Sequence, residues 1–375
     1  MPNKMITSQE LRKKLQKLSK KEGLVRIARS SFMNDTFKGD FNYSMGEEPI
    51  MRKFGKYLPI EKNWSFSVFQ PCIRIPDFHK GVKKNSARHL MVFEMSDVGG
   101  VHVSKDCDGR QIRKKIITSV FNFLTKELKI DAKYIYVSYF SGNDLNTLSQ
   151  KKLQSKKKFS ADRETIAVLE QLGISKKQLI ADPNAFVLTF FPFEFYAGYR
   201  SEIFVKTKKG LLEVGTMEFM NYKTKLGKDG LLKDIENADG FFGACGVGME
   251  RLLMAANNYT DIFHGDHIFP LFSRIMKLSK KKNILEAHIV CEVIRLLQVI
   301  VSDGYDFEND TYPKRKIKIK KLIRQFLRAA GAMELDIEKN IDSLLDMNAQ
   351  LIPFKPKKSI RLSNKKIREL ICQFE

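Results

Sequence analysis

The residues most able to do chemistry fall in two clusters. Gly246-Val247-Gly248-Met249-Glu250-Arg251 runs a glycine-rich turn straight into a helix. Glycines there let the backbone approach a flat or phosphorylated ligand, while Arg251 projects from the first helical turn. The pattern is not the dinucleotide fingerprint, because the third glycine is missing and no alternating parallel βαβ pattern surrounds it. Taken alone, it equally fits tight strand–helix packing beside a surface arginine. The second cluster changes that balance. Arg74 leaves the end of one extended segment, His79 follows in the loop, and Arg88-His89 lead into the returning segment that carries Phe93 and Met95. Cations at both ends of one hairpin loop can clamp a triphosphate. Phe93 and Met95 alternate onto one face of the returning strand, where a ring could lie.

These positions need elements to hold them. Thr7-x-x-Glu10 is a capping-box pattern, followed by Leu11, Leu15 and Leu18 on one face and ended by Gly23. Residues 64–105 read as two strands joined by a long basic loop, hence an antiparallel pair. A helix follows over 109–128, then a strand at 133–140 and a helix over 161–172 capped by Ser160 or Asp162. Residues 184–222 hold further strands, with a turn at Lys208-Lys209-Gly210. After the glycine-rich turn, Met249, Leu252, Leu253 and Ala256 mark the buried face of a helix, and from 283 onward the pattern is almost wholly helical. Runs of strands followed by runs of helices predict an α+β architecture: a catalytic unit at 1–278, then an all-α unit at 279–375, with no internal repeat.

Composition narrows the partners. The chain has 375 residues, 66 Lys+Arg against 43 Asp+Glu and a formal net charge of +23, which attracts polyanions and makes nucleic acid the leading partner. A lysine-rich composition that merely solvates the surface is the plainer account. The run at 151–158 reads as a solvated loop. The run at 314–328 is more informative: Leu322, Ile323, Phe326 and Leu327 follow helical spacing, while Lys320, Lys321, Arg324 and Arg328 take the other side. Five scattered cysteines without a CxxC pair argue against a disulfide framework or a cysteine-rich zinc site. Cys107 reads as an incidental loop thiol, and His264-Gly-Asp-His267 as a turn beside the core. No apolar run reads as a leader or a membrane span, so a cytoplasmic protein without membrane or zinc is expected.

In their joint order these pieces resemble the alanyl-tRNA synthetase family of class II aminoacyl-tRNA synthetases over nearly the whole chain. Cys72-Ile73-Arg74 with His79, then Ala87-Arg88-His89 and Phe93-Glu94-Met95, is similar to that family's motif 2, and Gly246 through Leu253 to its motif 3. Ser201 to Phe204, and Leu212-Glu213-Val214 with Phe219-Met220, resemble its intervening strands. The stretch ending Ser302-Asp303-Gly304 and the segment Leu322 to Arg328 resemble the helical region that holds the tRNA acceptor stem.

The resemblance implies an antiparallel catalytic sheet flanked by helices, activation of an amino acid with ATP and Mg²⁺, and transfer to tRNA. Arg74 would stabilise charge at the α-phosphate. Arg251 would lie along the ATP on the opposite side, His79 and Arg88 would steady the outer phosphates, and Phe93 with Met95 would seat the adenine beside Gly246 and Gly248. Glu213 is the expected Mg²⁺ ligand. Arg315, Lys320, Lys321, Arg324 and Arg328 would meet nucleic acid.

The amino-acid pocket departs from the family's pattern. Ala244 stands where an Asp binds the substrate ammonium, Gly215-Thr216 replaces a Trp-Asn pair, Glu218 replaces a Val, Thr189 a Trp, and Gly198-Tyr199-Arg200 a Gly-Pro-Cys segment. A buried ammonium needs a carboxylate, so Glu218 or Glu194 could take over; equally, Arg200 could meet a substrate with an extra acidic group. These swaps predict a pocket altered in both size and charge, so a related acid is expected ahead of alanine, and alanine on a shifted anchor is the competing substrate. The family's editing and C-terminal regions have no counterpart in this sequence, so neither editing nor dimerisation through them is expected. Three activities stay open: aminoacylation of tRNA, transfer of the activated acid to a small molecule, carrier protein or peptide, and catalytically silent tRNA binding.

Overall fold

The computed structural model describes residues 5–33, 63–76, 78–79, 87–102, 109–144, 158–188, 196–229, 232–353 and 359–374. Cys107, Thr189, Glu194 and the lysine run at 151–157 lie outside them. Helix α1 (Ser8–Lys21) begins where its sequence places it. Thr7 accepts a hydrogen bond from the Glu10 N–H, and the Glu10 carboxylate accepts one from the Thr7 N–H. Leu11 and Leu15 are buried, and Gly23 leaves the helix at φ +70°, a left-handed turn that suits glycine.

The strands are β1 (Val25–Arg26), β2 (Trp64–Ile73), β3 (Val92–His102), β4 (Ile135–Phe140), the short pair β5 (Asn143–Asp144) and β6 (Lys158–Phe159), β7 (Leu179–Asp182), β8 (Phe186–Val187), β9 (Tyr196–Thr207), β10 (Gly210–Leu226) and β11 (Leu232–Gly248). Among the described residues, nine form one sheet in the order β1-β2-β3-β11-β10-β9-β4-β7, with β8 on β9. The run from β2 to β4 is antiparallel throughout, and the edge strands β1 and β7 join it in parallel. Helix α2 (Gly109–Asn122) and α3 (Arg163–Gln171) interrupt the strands, and Asp162, rather than Ser160, caps α3 by accepting the Thr165 N–H.

Alternation along β10 assigns the two faces. Met217 and Phe219 join Cys245 and Val247 of β11 in the large core that also takes Leu11 and Ile117, so α1 and α2 cover that face. A side chain at Gly243 would stand 2.8 Å from Ile116 of α2, which explains a glycine in mid-strand. Thr216, Glu218 and Met220 point the other way, and Met220 packs there with Phe242 and Ala244. That second face carries the candidate site.

Strand β11 passes into α4 (Met249–Ala256) with Gly248 at the N-cap. Helices α5 (Phe269–Leu278), α6 (Ile284–Ser302), α7 (Pro313–Ala332), α8 (Ile337–Leu351) and α9 (Ile360–Cys372) complete the chain. Helix α6 is buried all round from Ala287 to Ser302, as its predominantly apolar composition favours, and α5, α7, α8 and α9 pack against it. It also holds the sheet. Buried Glu292, paired with Arg295, accepts the backbone N–H groups of Met91 and Val92, so a helix beyond the sheet fixes where β3 starts. No helix among the described residues is long and apolar enough to cross a membrane.

Candidate active site

A cavity opens over the ends of β3, β10 and β11. Arg74, Arg88, Phe93, Met95, Glu213, Thr216, Gly248 and Arg251 all line it. The glycines and alanine of β11 make a trough: Gly248 pairs with Met95, Gly246 with both Asp97 and Thr216, and Ala244 with Glu218 and Gly99. Directly paired residues share a face, so β3 supplies one wall and β10 the other. A side chain at Gly246 would stand 2.7 Å from the Asp97 carboxylate and 3.3 Å from Met95 Cε, so only glycine keeps the trough open.

The cationic groups are held by backbone acceptors. Arg251 donates from Nε to the Arg88 carbonyl at 3.1 Å and pairs with Glu213 at 3.4 Å. Arg88 donates to the carbonyls of Leu211, at 2.9 Å, and Lys209, in the β9–β10 turn. Arg74 lies over the Phe93 ring, 5.3 Å from its centre. Three arginines, from the end of β2, the approach to β3 and the first turn of α4, therefore flank one cavity whose wall carries an aromatic and a thioether side chain. That arrangement can hold a polyphosphate with a stacked base.

Beyond Thr216 the trough becomes acidic. Asp97 and Glu218 are buried. The Glu202 carboxylate accepts the Thr216 hydroxyl at 2.5 Å and pairs with Arg200 at 3.1 Å, and burial raises its pKa. Arg200 is thus engaged by a neighbour on its own strand. Thr216 and Glu218, two residues apart, face the same side. Asp97 and Glu202 went unnoticed in the sequence, yet the alternation that pairs Phe93 with Met95 continues to Asp97. Glu202 needed the β9–β10 register to be found.

Some expected site residues sit elsewhere. His79 is half-buried, edge-on to Phe78, and is not among the cavity-lining residues. Gly246 floors the trough rather than the cavity proper, and Ala244 is fully buried in the apolar cluster beneath it. Glu213 is half-exposed at the rim, so its carboxylate fits a Mg²⁺ completed by phosphate oxygens once it exchanges its Arg251 partner. Among the described residues, no three His, Cys, Asp or Glu side chains are grouped closely enough to hold a metal by themselves. On α7, Lys320, Lys321, Arg324 and Arg328 are exposed, whereas Leu322, Ile323 and Phe326 are buried. Arg315 turns inward instead, because nearly buried Asp310 requires a cation: the two pair at 3.0 Å, with Tyr312 stacked on the guanidinium.

Behind the cavity, Glu250 accepts the Glu94 N–H at 3.1 Å and faces His267 at 3.5 Å, while Glu94 pairs with Arg12. Burial, against the pull of Arg12, pushes the Glu94 pKa up to about 7. For His267, burial is outweighed by hydrogen bonds to Asp266 and Glu250, and its pKa is raised. Between the usual value of 4.5 and about 7, the folded chain keeps the Glu94 proton that the unfolded chain releases, so stability falls as pH rises through that window. His267 acts in the same direction, its contribution being lost as pH rises through its raised pKa. Glu94→Gln should therefore flatten the urea-midpoint profile from about pH 5 to about pH 8, with a difference on the order of 3 kcal/mol between the ends. Parallel profiles for the two proteins would mean that Glu94 stays ionised.

A family model described as tRNA synthetases class II (A) matches residues 59–373. An alanine–tRNA ligase of Thermus thermophilus is 23% identical over 347 residues, covering 85% of this chain and 36% of the relative. That of Buchnera aphidicola subsp. Cinara cedri is 23% identical over 299 residues, covering 74% and 32%. The chain thus spans about a third of the length of the curated relatives it matches. Among solved structures, the S. aureus histidyl-tRNA synthetase superposes on 68% of this chain and 67% of that one, at 12% identity and a TM-score of 0.40. A Desulfitobacterium hafniense pyrrolysyl-tRNA synthetase covers 70% and 74%, at 13% identity and a TM-score of 0.35.

Proposed function

Because the chain belongs to the class II (A) tRNA synthetase family, we propose that it activates an amino acid with ATP and passes the resulting acyl group to tRNA. The observation that carries this reading is the placement of Arg74 and Arg251 on one cavity that also presents Phe93, Met95 and Glu213. The adenine lies against Phe93 and Met95, with Arg251 along the nucleotide. The amino acid's carboxylate oxygen attacks the α-phosphorus as the bond to pyrophosphate breaks, and Arg74 stabilises the charge that grows on the phosphoryl oxygens. Arg88 steadies the outer phosphates from the far end of the hairpin. Glu213 would hold a Mg²⁺ ion, which would neutralise phosphate charge when bound. The substrate's ammonium is held by Glu218, opposite Ala244 on one wall of the trough, and by Asp97, opposite Gly246 on the other. The low identity to the alanine–tRNA ligases and this changed pocket favour alanine or a related acid on a relocated anchor. Residues 279–375 serve as the tRNA-recognition unit, with Lys320, Lys321, Arg324 and Arg328 toward the RNA.

The test is ATP–pyrophosphate exchange against the standard amino acids one at a time, with and without bulk tRNA. Exchange with alanine alone makes this an alanine-activating enzyme. Exchange with another acid makes the pocket substitutions adaptive, and the absence of aminoacyl-tRNA would then transfer the assignment to a non-tRNA acceptor. No exchange with any of them, while ATP still binds, would sink the reading for standard amino acids.

A further inference from the structure

On the face of the sheet opposite the cavity, α1 and α2 do not close fully over the core. Between them runs a groove of about 670 Å³. Lys14, Lys17 and Lys21 stand along its α1 wall; Lys114, Lys115 and Lys126 stand along the wall made by α2 and the turn that continues it. Against these six lysines the groove has only Glu22 and Glu127, which pair with Lys115 at 3.2 Å and Lys14 at 3.0 Å. Lys17, Lys21, Lys114 and Lys126 are exposed and make no ion pair among the described residues.

Such clustering works against the fold. Lys14, Lys17 and Lys21 occupy one stripe of α1, and like charges three or four residues apart destabilise a helix. Leu11 and Leu15 already anchor α1 to the core from the neighbouring face, so packing does not explain the lysines. The polar groups between the walls identify what would relieve the repulsion. Thr118, Ser119 and Asn122 line the groove, and hydroxyl and amide side chains beside lysines are the usual partners of phosphate and sugar oxygens. None of the large apolar side chains exposed on the described residues lines it, as insertion into a lipid surface would need.

We propose that this groove binds the phosphodiester backbone of an RNA, with the four exposed lysines on phosphates and the hydroxyl and amide side chains within reach of 2′-hydroxyls. The surface is separate from the cavity and from α7, so the assignment does not depend on which acid is activated.

The experiment uses the full chain and bulk tRNA, with binding followed as a function of salt. Replacing Lys17, Lys21, Lys114 and Lys126 together by Glu should weaken binding at least about tenfold at 0.1 M salt and lower the slope of log affinity against log salt by about 3, as expected for four lost phosphate contacts. A second variant with Gln at the same positions guards against misfolding from reversed charge and should show a smaller loss of the same kind. ATP–pyrophosphate exchange should be unchanged in both, because the groove lies across the sheet from the cavity. Unchanged affinity and slope, with RNA binding removed instead by reversing Lys320, Lys321 and Arg324, would overturn the proposal. So would a wild-type chain that does not bind RNA, or variants that lose only adsorption to phosphatidylserine vesicles.

Discussion

Arg251→Ala should lower ATP–pyrophosphate exchange by at least about 10³-fold while leaving the chain folded. The side chain is only partly buried and lies on the first turn of α4, outside the apolar core, so its removal costs little packing. Its contribution is one of position. The Arg88 carbonyl and Glu213 hold the guanidinium at the cavity before any nucleotide arrives, which lowers the entropy lost on binding. Lysine would restore the charge without the planar fork that spans two acceptors, so Arg251→Lys should recover less than about a tenth of the lost activity. Full exchange in Arg251→Ala, with thermal unfolding unchanged, would remove this arginine from the chemistry.

Asp97→Asn and Glu218→Gln should each raise the KM for the activated amino acid by about 10²-fold and leave the KM for ATP within about a factor of two. Each change keeps the side chain's shape and removes its negative charge. The expected loss is therefore the charge-assisted hydrogen bond to an ammonium, on the order of 2–3 kcal/mol. The split between the two constants separates binding from architecture. A carboxylate that merely supports the sheet would disturb ATP and amino acid together, since Phe93, Met95 and Asp97 share one strand. If Asp97→Asn leaves both constants unaltered while Glu218→Gln raises the amino-acid KM, the anchor lies on β10 alone. If neither matters, the ammonium is held elsewhere and the relocated-anchor model fails.

Much of this molecule follows from local pattern. The capping box at Thr7, the apolar stripe of α1, the mostly apolar run of α6 and the switch from strands to helices are all set within short windows of sequence, and each forms where its pattern places it. Period-two alternation likewise assigns Phe93 and Met95 to one face, and both line the cavity. Arg74, Arg88 and Arg251 were legible because cations beside glycines and at both ends of a hairpin loop have a small number of uses.

What could not be read locally depends on which distant strands become neighbours. Asp97 and Thr216 stand on either side of Gly246 only because β3, β11 and β10 lie side by side in one register, and Glu202 reaches Thr216 only through the β9–β10 pairing. Alternation states which face a side chain takes, but not what stands across from it. Charge partners obey the same limit: Arg315 carries the same pattern as Lys320 and Arg324, yet folding buries Asp310 beside it and draws it inward. The parallel edge strands β1 and β7 were likewise hidden, since two to four residues carry too little pattern to choose a neighbour. Sequence alone thus determined the longer elements, their order and which side chains share a face, and it singled out Arg74, Arg88 and Arg251. The tertiary structure decided the acidic end of the trough and the lysine groove, because strand register and the desolvation of charged groups arise only when residues far apart in the chain are packed together.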